Sequence, residues 1–582
     1  ASGTLLDYAS SATQTLSGAI TGTGGLTVSG TGTLTLSGAN AYSGATTIGS
    51  GAVVLSGGAA IGNQSAVTVA SGASLTVNAN ETIGSLAGAG TVTLANVSQL
   101  TAGGNNSSTT FSGVIGGIGS VEKAGTGTLT LSGTNTIIGA VTISAGTLAL
   151  SGDSTLPDTT ELTLATGATL ELANGSQSVV NLNGTGTVNL NANTLTIGAN
   201  NGTGMFAGAI TGTGGLTKVG SLAQFLTGTN TFTGPVHVAE GRLFAQNGSA
   251  IADTVAVTVD AGAELVLFYG PETIGSLAGA GNVVAAGANS VLTTGGDNTS
   301  TTFSGTLSGT GVTIGLTKSG TGTLTLTGNN TYTGGTTISG GTLSIGDGGL
   351  TGAVAGNIVN DAALVFNRSN DMTYAGAISG SGTLQKLGAG TLTLSGGSSH
   401  TGMTTVSAGT LNLTGSVLGD VEVLSGANLV GASTGGAGGT VSIGADGTLV
   451  AEGGAASAFA VGALVLDGGS VFAVTLAAPS TTGAVLSNGD VTLDGTLEVT
   501  AGAGFTSGTY RLIDYAGALT DNGLSVTSPA HSLYAVDTST GGQVNLQVAL
   551  GQWWNGTNVT GGSSVAGGTG TWNVAAGTSN WT

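Results

Sequence analysis

Leu26-Thr-Val28-Ser-Gly30-Thr-Gly-Thr-Leu34-Thr-Leu36-Ser-Gly38, followed by Asn40-Ala-Tyr42-Ser-Gly44-Ala-Thr-Thr-Ile48, decides the fold of this 582-residue chain. Apolar residues and Thr or Ser alternate with period two through Leu34-Thr-Leu36, the mark of a half-buried strand. Val53-Val54-Leu55 is a second short run of strand formers. Gly-Thr-Gly and Ser-Gly pairs interrupt such runs about every ten residues, as turns do. No useful stretch has a helical period, and the glycine content opposes one.

The stretch returns down the chain. Further copies start near Phe111, Phe206, Phe303 and Tyr374, with Leu16 at the same place in the first, so the spacings are 95, 95, 97 and 71 residues. A second element, Glu81 to Gly90, recurs as Glu272 to Gly281. Self-similarity on this scale is the signature of a stacked solenoid. Leu26 and Ile48 read as equivalent inward positions 22 residues apart, which suits one coil of three short strands. About 26 such coils at about 4.8 Å each make a rod of about 120 Å. A lone coil cannot persist. Roughly five buried aliphatic side chains at about 1.5–3 kcal/mol each do not offset a backbone entropy cost of about 1–2 kcal/mol per residue. Neighbouring coils must complete the core and the backbone hydrogen bonds. The expected fold is all-β, an elongated parallel β-helix (β-solenoid), with right-handed crossovers as the default.

Composition excludes several functions. Glycine is 112 of 582 residues, well short of the one in three that collagen requires. The net charge is −20 with only 7 Lys and Arg, too few to neutralise phosphates, so nucleic acid and anionic membrane surfaces are poor partners. There is no cysteine, hence no disulfide and no thiolate chemistry. The most apolar run, between Glu452 and Asp467, is too short for a membrane-spanning helix.

Gly215-Leu-Thr-Lys218, and Gly-Thr-Leu324-Thr-Leu326-Thr-Gly-Asn-Asn330-Thr-Tyr332-Thr-Gly334-Gly-Thr-Thr-Ile338 followed by Gly-Thr-Leu343, resemble the autotransporter-associated β-strand repeat, also called the passenger-associated transport repeat. This repeat occurs in passenger domains of bacterial autotransporters (type V secretion). Five copies cover much of residues 16–415, within a repeat-bearing part that spans residues 1–415. The copy at Phe206 departs from the others, with Gln224 where they have Leu, and His400 stands where Tyr42, Phe232 and Tyr332 stand elsewhere. Residues 416–550, with Gly489-Asp-Val-Thr-Leu493 and Gly508-Thr-Tyr510, resemble the later, autochaperone-like part of such passengers and read as a continuation of the solenoid. Residues 551–582 resemble the start of a further Trp- and Gly-rich passenger module, and the chain reads as part of a longer precursor whose membrane barrel lies elsewhere. The resemblance implies a right-handed β-helix exported across the outer membrane to the bacterial cell surface, with cysteine-free export through a narrow pore.

Candidate chemistry is sparse. His237, His400 and His531 lie in separate repeats and read as isolated surface or turn residues rather than a zinc site. Gly431-Ala-Ser433-Thr-Gly435 matches a hydrolase elbow without its strand-to-helix context, and Gly152-Asp-Ser154-Thr-Leu156 is one residue too long for a lipase motif. Asp420, Glu422, Asp490, Asp494 and Glu498 read as a solvated acidic edge rather than a glycosidase pair. Gly346-Asp-Gly-Gly349 is a lone fragment of a calcium nonapeptide. Outward Thr33 and Thr35 read as ordinary exposed strand residues.

Lys123, Lys218, Lys318 and Lys386 occupy one repeat position, taken by Val28 in the first copy. They read as strand-end lysines whose stems cover apolar surface and whose heads reach water. Asn40, Asn135, Asn230 and Asn330 precede a turn and read as left-handed or amide-ladder positions. The aromatics Tyr42, Phe232 and Tyr332 read as coil covers. Trp553, Trp554, Trp572 and Trp581 read as end-of-rod burial rather than a sugar platform.

No catalytic, cofactor-binding or metal-binding residue is assigned. The expected function is that of a non-enzymatic surface or secreted passenger acting in adhesion. Its partners would be host or bacterial surface molecules or glycans. The alternative is a structural subunit that polymerises end to end or side to side into a fibre or surface layer, because neither terminus shows a charged, proline-rich cap. A carbohydrate-active or proteolytic β-helix enzyme is the third reading.

Overall fold

The structure is a computed structural model and describes residues 3–550 except 96, 154, 453–456 and 528–531. It is an all-β parallel solenoid of about 23 turns. At about 4.8 Å per turn this is a rod of about 110 Å. Each turn contributes short strands to separate parallel sheets, one of which runs through 22 strands from Gln177–Val179 to Gln543–Leu550.

The coil from which the length was inferred is shorter than expected. Leu26 lies beside Thr46 and Val28 beside Ile48, a repeat of 20 residues rather than the 22 inferred from Leu26 and Ile48. Thr46 is fully buried and takes the inward place that an apolar side chain was expected to hold. Coils lengthen toward the C-terminal side, where Thr496 pairs with Ser525. Longer coils and the described limit at residue 550 account for 23 turns against the expected 26.

The core is built by stacking one inward position on the next. Leu34, Val53, Leu75, Val92 and Ile115 lie one above another in register, all fully buried. The alternating Thr35, Val54 and Thr76 point outward, so period two in sequence becomes two faces of a sheet. The turn glycines are required by contact between coils. A Cβ at Gly113, Gly208 or Gly305 would strike both the preceding coil's carbonyl and the ring tip of Phe111, Phe206 or Phe303 two residues earlier. Each Phe-x-Gly therefore lets a buried ring close over the backbone at van der Waals spacing.

The ladder continues without interruption across residue 415, with Thr404 pairing with Val421. The last described strands change direction: Ser532–Asp537 and Gln543–Leu550 form an antiparallel hairpin, and the second strand also runs antiparallel to Gly508–Tyr515.

Candidate functional site

The four lysines do not reach water. Lys123, Lys218, Lys318 and Lys386 are buried, and each Nζ donates to three backbone carbonyls. For Lys123 these are Ala124, Gly125 and Ala145, at 2.7, 2.9 and 3.0 Å. Lys218 holds Val219, Gly220 and Glu240. Lys318 holds Ser319, Gly320 and Gly340. Lys386 holds Leu387, Gly388 and Ala408. Three N–H groups meet three acceptors, so each ammonium is saturated. Two acceptors lie in the lysine's own turn and the third in the next coil, and this sews the coils together. Burial pulls the Lys218 ammonium down to about 8, with Glu240 opposing, and lowers Lys123, Lys318 and Lys386.

The first copy replaces the cage by other means. Val28 has no head group, but Ser50, in the next coil, donates its hydroxyl to Ser29 and Gly30 carbonyls at 2.6 and 3.0 Å. Ser50 occupies the place of Ala145, Glu240, Gly340 and Ala408 in the other copies. The same two carbonyls are thus served from the opposite direction.

Asn40, Asn135, Asn230 and Asn330 are buried but not left-handed; among the described asparagines the positive φ values fall at Asn106, Asn191, Asn200, Asn201, Asn247 and Asn298. Nor do they stack on one another. Each bridges the coil before to the coil after. Asn230 Oδ1 accepts from Ile210 N–H at 2.7 Å while Nδ2 donates to Ala250 carbonyl at 2.8 Å. Asn40 joins Ile20 to Ala60, Asn135 joins Ile115 to Thr155, and Asn330 joins Leu307 to Ala353 in the same way. In the fifth copy Ser398 stands here and accepts from Ile378 N–H.

The aromatic position is inside the coil, not over it. Tyr42 and Tyr332 share hydrogen bonds of 2.7 and 2.6 Å with Thr46 and Thr336 four residues on. His400, fully buried rather than at the surface, makes the same bond through Nε2 to Thr404 at 2.9 Å. Where the ring is Phe232, or the residue Ile137, the partner position is Val236 or Val141. Polar pairs with polar and apolar with apolar, as a sealed interior demands. His400 Nδ1 has no partner, and burial lowers the imidazole's pKa. Its stabilising contribution is present above the ordinary pKa of about 6.5 and is lost as pH falls through the lower folded value. His400→Tyr should therefore abolish acid loosening of the coils around residues 384–413, read by hydrogen exchange at pH 5 and 7. Equal loosening in the variant would contradict this.

The remaining sequence candidates do not converge. His237 pairs with Asp260 at 2.8 Å, both half-exposed. Ser433 lies in a turn, where its carbonyl accepts from Ser457. Asp420 and Asp490 each accept a backbone N–H from the next coil, Thr440 and Ala518. Asp347 accepts from Gly349 within its own turn. Among the described residues no three His, Asp or Glu side chains are grouped as a metal site would be. Ser154, His531 and the four tryptophans lie outside the described residues.

A feature the sequence reading missed is an outward aromatic patch in the third copy. Met205 pairs with Phe225, Phe225 with Phe244, and Phe244 with Val266 on successive coils on the outer face; Phe244 and Val266 are buried beneath a half-buried Phe225 and Phe268, and Met205 is exposed. The corresponding rows are Thr110, Thr130 and Ala149; Thr302, Thr325 and Ser344; and Thr373, Thr393 and Asn412. Phe225 stacks on Phe244 at 4.2 Å, and Phe268 meets Phe244 edge-on at 5.5 Å. The Arg242 guanidinium lies 5.6 Å over the Phe244 ring.

Of the seven basic residues, four are caged lysines, Arg511 is held by Asp514 and Asn545, and Arg368 by the Leu350 and Gly352 carbonyls. Arg242 is the one left exposed, and it lies on this patch. Beside it Tyr269, 55% exposed, adopts φ +58°, a conformation that costs a side-chain-bearing residue about 1–2 kcal/mol. Its ring lies over Gly287, where a Cβ would come within 2.7 Å. The signal in sequence was the break in outward Thr at Met205 and Phe225. Gln224, the departure that was noticed, is a buried bridge to the Leu182 backbone.

A family model described as passenger-associated-transport-repeat matches residues 26–55, 121–150, 216–243, 316–345 and 384–413. Each match begins two residues before the cage position. The chain is 33% identical over 312 residues to the adhesin BmaC autotransporter of Brucella suis biovar 1 (strain 1330), an alignment covering 50% of this chain and 9% of that protein. The chain thus corresponds to a small part of the curated relative's length.

Proposed function

We propose, from the premise that this chain is an exported autotransporter passenger carrying five transport repeats, that it serves adhesion at the bacterial surface without enzymatic activity. The observation that carries this reading is the outward aromatic patch on an otherwise Thr-lined, acidic rod, together with the similarity to an autotransporter adhesin. The rod holds the patch away from the envelope, and contacts repeated along it and across many copies act together through avidity. Its partners are surface molecules or glycans of host or bacterial cells. Residues 1–415 form the repeat-bearing part and residues 416–550 the autochaperone-like continuation, in which the strands turn antiparallel.

Met205→Thr, Phe225→Thr and Phe244→Ser together restore side chains of the kind found in the other copies. Cells displaying the triple variant should attach at least about tenfold less to the surfaces that bind the parent, a loss of about 1.4 kcal/mol in apparent affinity. Unchanged attachment, with unchanged hydrogen-exchange protection of the coils, would remove the patch from the proposal. Turnover on peptide or glycan panels would overturn the non-enzymatic reading.

A further inference from the structure

Three turns of the rod are gripped from both sides by buried polar side chains. Asn40 donates to the Ala60 carbonyl from the coil before, and Glu81 from the coil after takes the Ala60 and Ile61 N–H groups at 2.9 and 2.8 Å. In the second turn Asn230 donates to the Ala250 carbonyl and Glu272 Oε1 accepts from Ile251 N–H at 2.8 Å. Both glutamates are 1% exposed and open the repeated element Glu-Thr-Ile-Gly-Ser-Leu-Ala-Gly-Ala-Gly. The third turn carries Gln177 instead. Its Oε1 accepts from Leu156 N–H at 3.2 Å and its Nε2 donates to the Gly152 carbonyl, while Asn135 holds Thr155 from the other side.

Gln177 shows that a neutral side chain serves this place. A protonated glutamic acid is neutral as well, whereas an ionised one puts a charge where water does not reach. Glu272 Oε2 is buried with no partner, an atom that a proton would neutralise. Among the described residues no cation acts on either carboxyl. The charged or titratable groups that act there are Asp253 near Glu272 and the Tyr42 phenol near Glu81. Neither ion pair among the described residues involves them.

We propose that Glu81 and Glu272 are proton-operated clamps that close their turns when protonated, as Gln177 does permanently, and loosen them when ionised. Burial, opposed by the backbone hydrogen bonds, pushes both carboxyls up to about 7. A carboxyl raised in the folded state takes up a proton on folding between its unfolded and folded values. The stabilisation is therefore complete below about 4.5 and is lost as pH rises through about 7. This is opposite in sign to His400, so the rod has segments that tighten in acid and one that loosens.

Hydrogen exchange on the whole chain at pH 5 and pH 8, corrected for intrinsic rates, tests this. Exchange at Ala60, Ile61 and Ile251 should be at least about tenfold faster at pH 8, with a ceiling of about 300-fold set by the span of the two pKa values. Leu156 should not change. Glu81→Gln and Glu272→Gln should abolish the dependence in their own turns, and Gln177→Glu should import it at Leu156. A protonated-carboxyl infrared band persisting at pH 6 and missing from the double Gln variant reads the same groups without relying on any folding difference. Equal pH response at all three turns, or a dependence that survives in the Gln variants, would overturn the proposal.

Discussion

Lys123→Val should loosen the coils around residues 121–147 by about 3 kcal/mol, and Ala145→Ser added to it should recover a substantial part. The first substitution removes the donor from three partly buried carbonyls, each costing about 1–3 kcal/mol when left unpaired, offset in part by water that the loosened turn admits. It also relieves the desolvation of a buried ammonium, which is why the loss is smaller than three full hydrogen bonds. The second substitution copies the arrangement of the first repeat, where Val28 coexists with Ser50. Because a solenoid unfolds coil by coil rather than in one step, the measurement is local. Exchange of peptides covering residues 121–147 should accelerate by about a hundredfold in the single variant, and peptides from distant coils should not change. If the single variant is as protected as the parent, the cage has no stabilising role. If the double variant is no better than the single, the hydroxyl is not its substitute.

Gly305→Ala should be at least as damaging, although it adds one methyl group. That methyl would collide with the Gly281 carbonyl of the preceding coil and lie 2.8 Å from the tip of the Phe303 ring. Backbone cannot yield without opening the spacing on which the whole ladder depends, and Phe303 is fully buried. Overpacking of this kind costs about 3 kcal/mol, approaching the loss of about 3–5 kcal/mol expected for Phe303→Ala. Gly311 is the control. It has φ +70° and open space within 4 Å, so Gly311→Asn, which tolerates that conformation, should cost less than about 0.5 kcal/mol. Thermal melts and local exchange at residues 279–307 compare the two. Similar small effects at both positions would show that coil spacing is more pliant than the contacts imply.

The sequence by itself determined the architecture. Period-two alternation, regularly spaced glycine turns and a unit recurring five times admit few folds other than stacked parallel coils, because each coil lacks a closed core alone. It also determined that Lys123, Asn135 and their counterparts form fixed positions, and that the third copy departs at Gln224. Whether those polar side chains enter the coil or leave it was decided only by the tertiary structure. Val28 and Lys218 look like different environments in sequence, and both are buried at the end of the same inward strand. The acceptors that make an inward lysine tolerable lie partly about 22 residues ahead, on the next coil, and become adjacent to it only when the 20-residue register is set. The same holds for Glu81, whose two donors sit in the coil before. It holds for the aromatic patch as well. Met205, Phe225 and Phe244 are some 20 residues apart in the chain and are brought to contact by stacking. Local pattern fixes which face a strand presents; the partners across 4.8 Å of stacking fix what a polar or aromatic residue on that face can do.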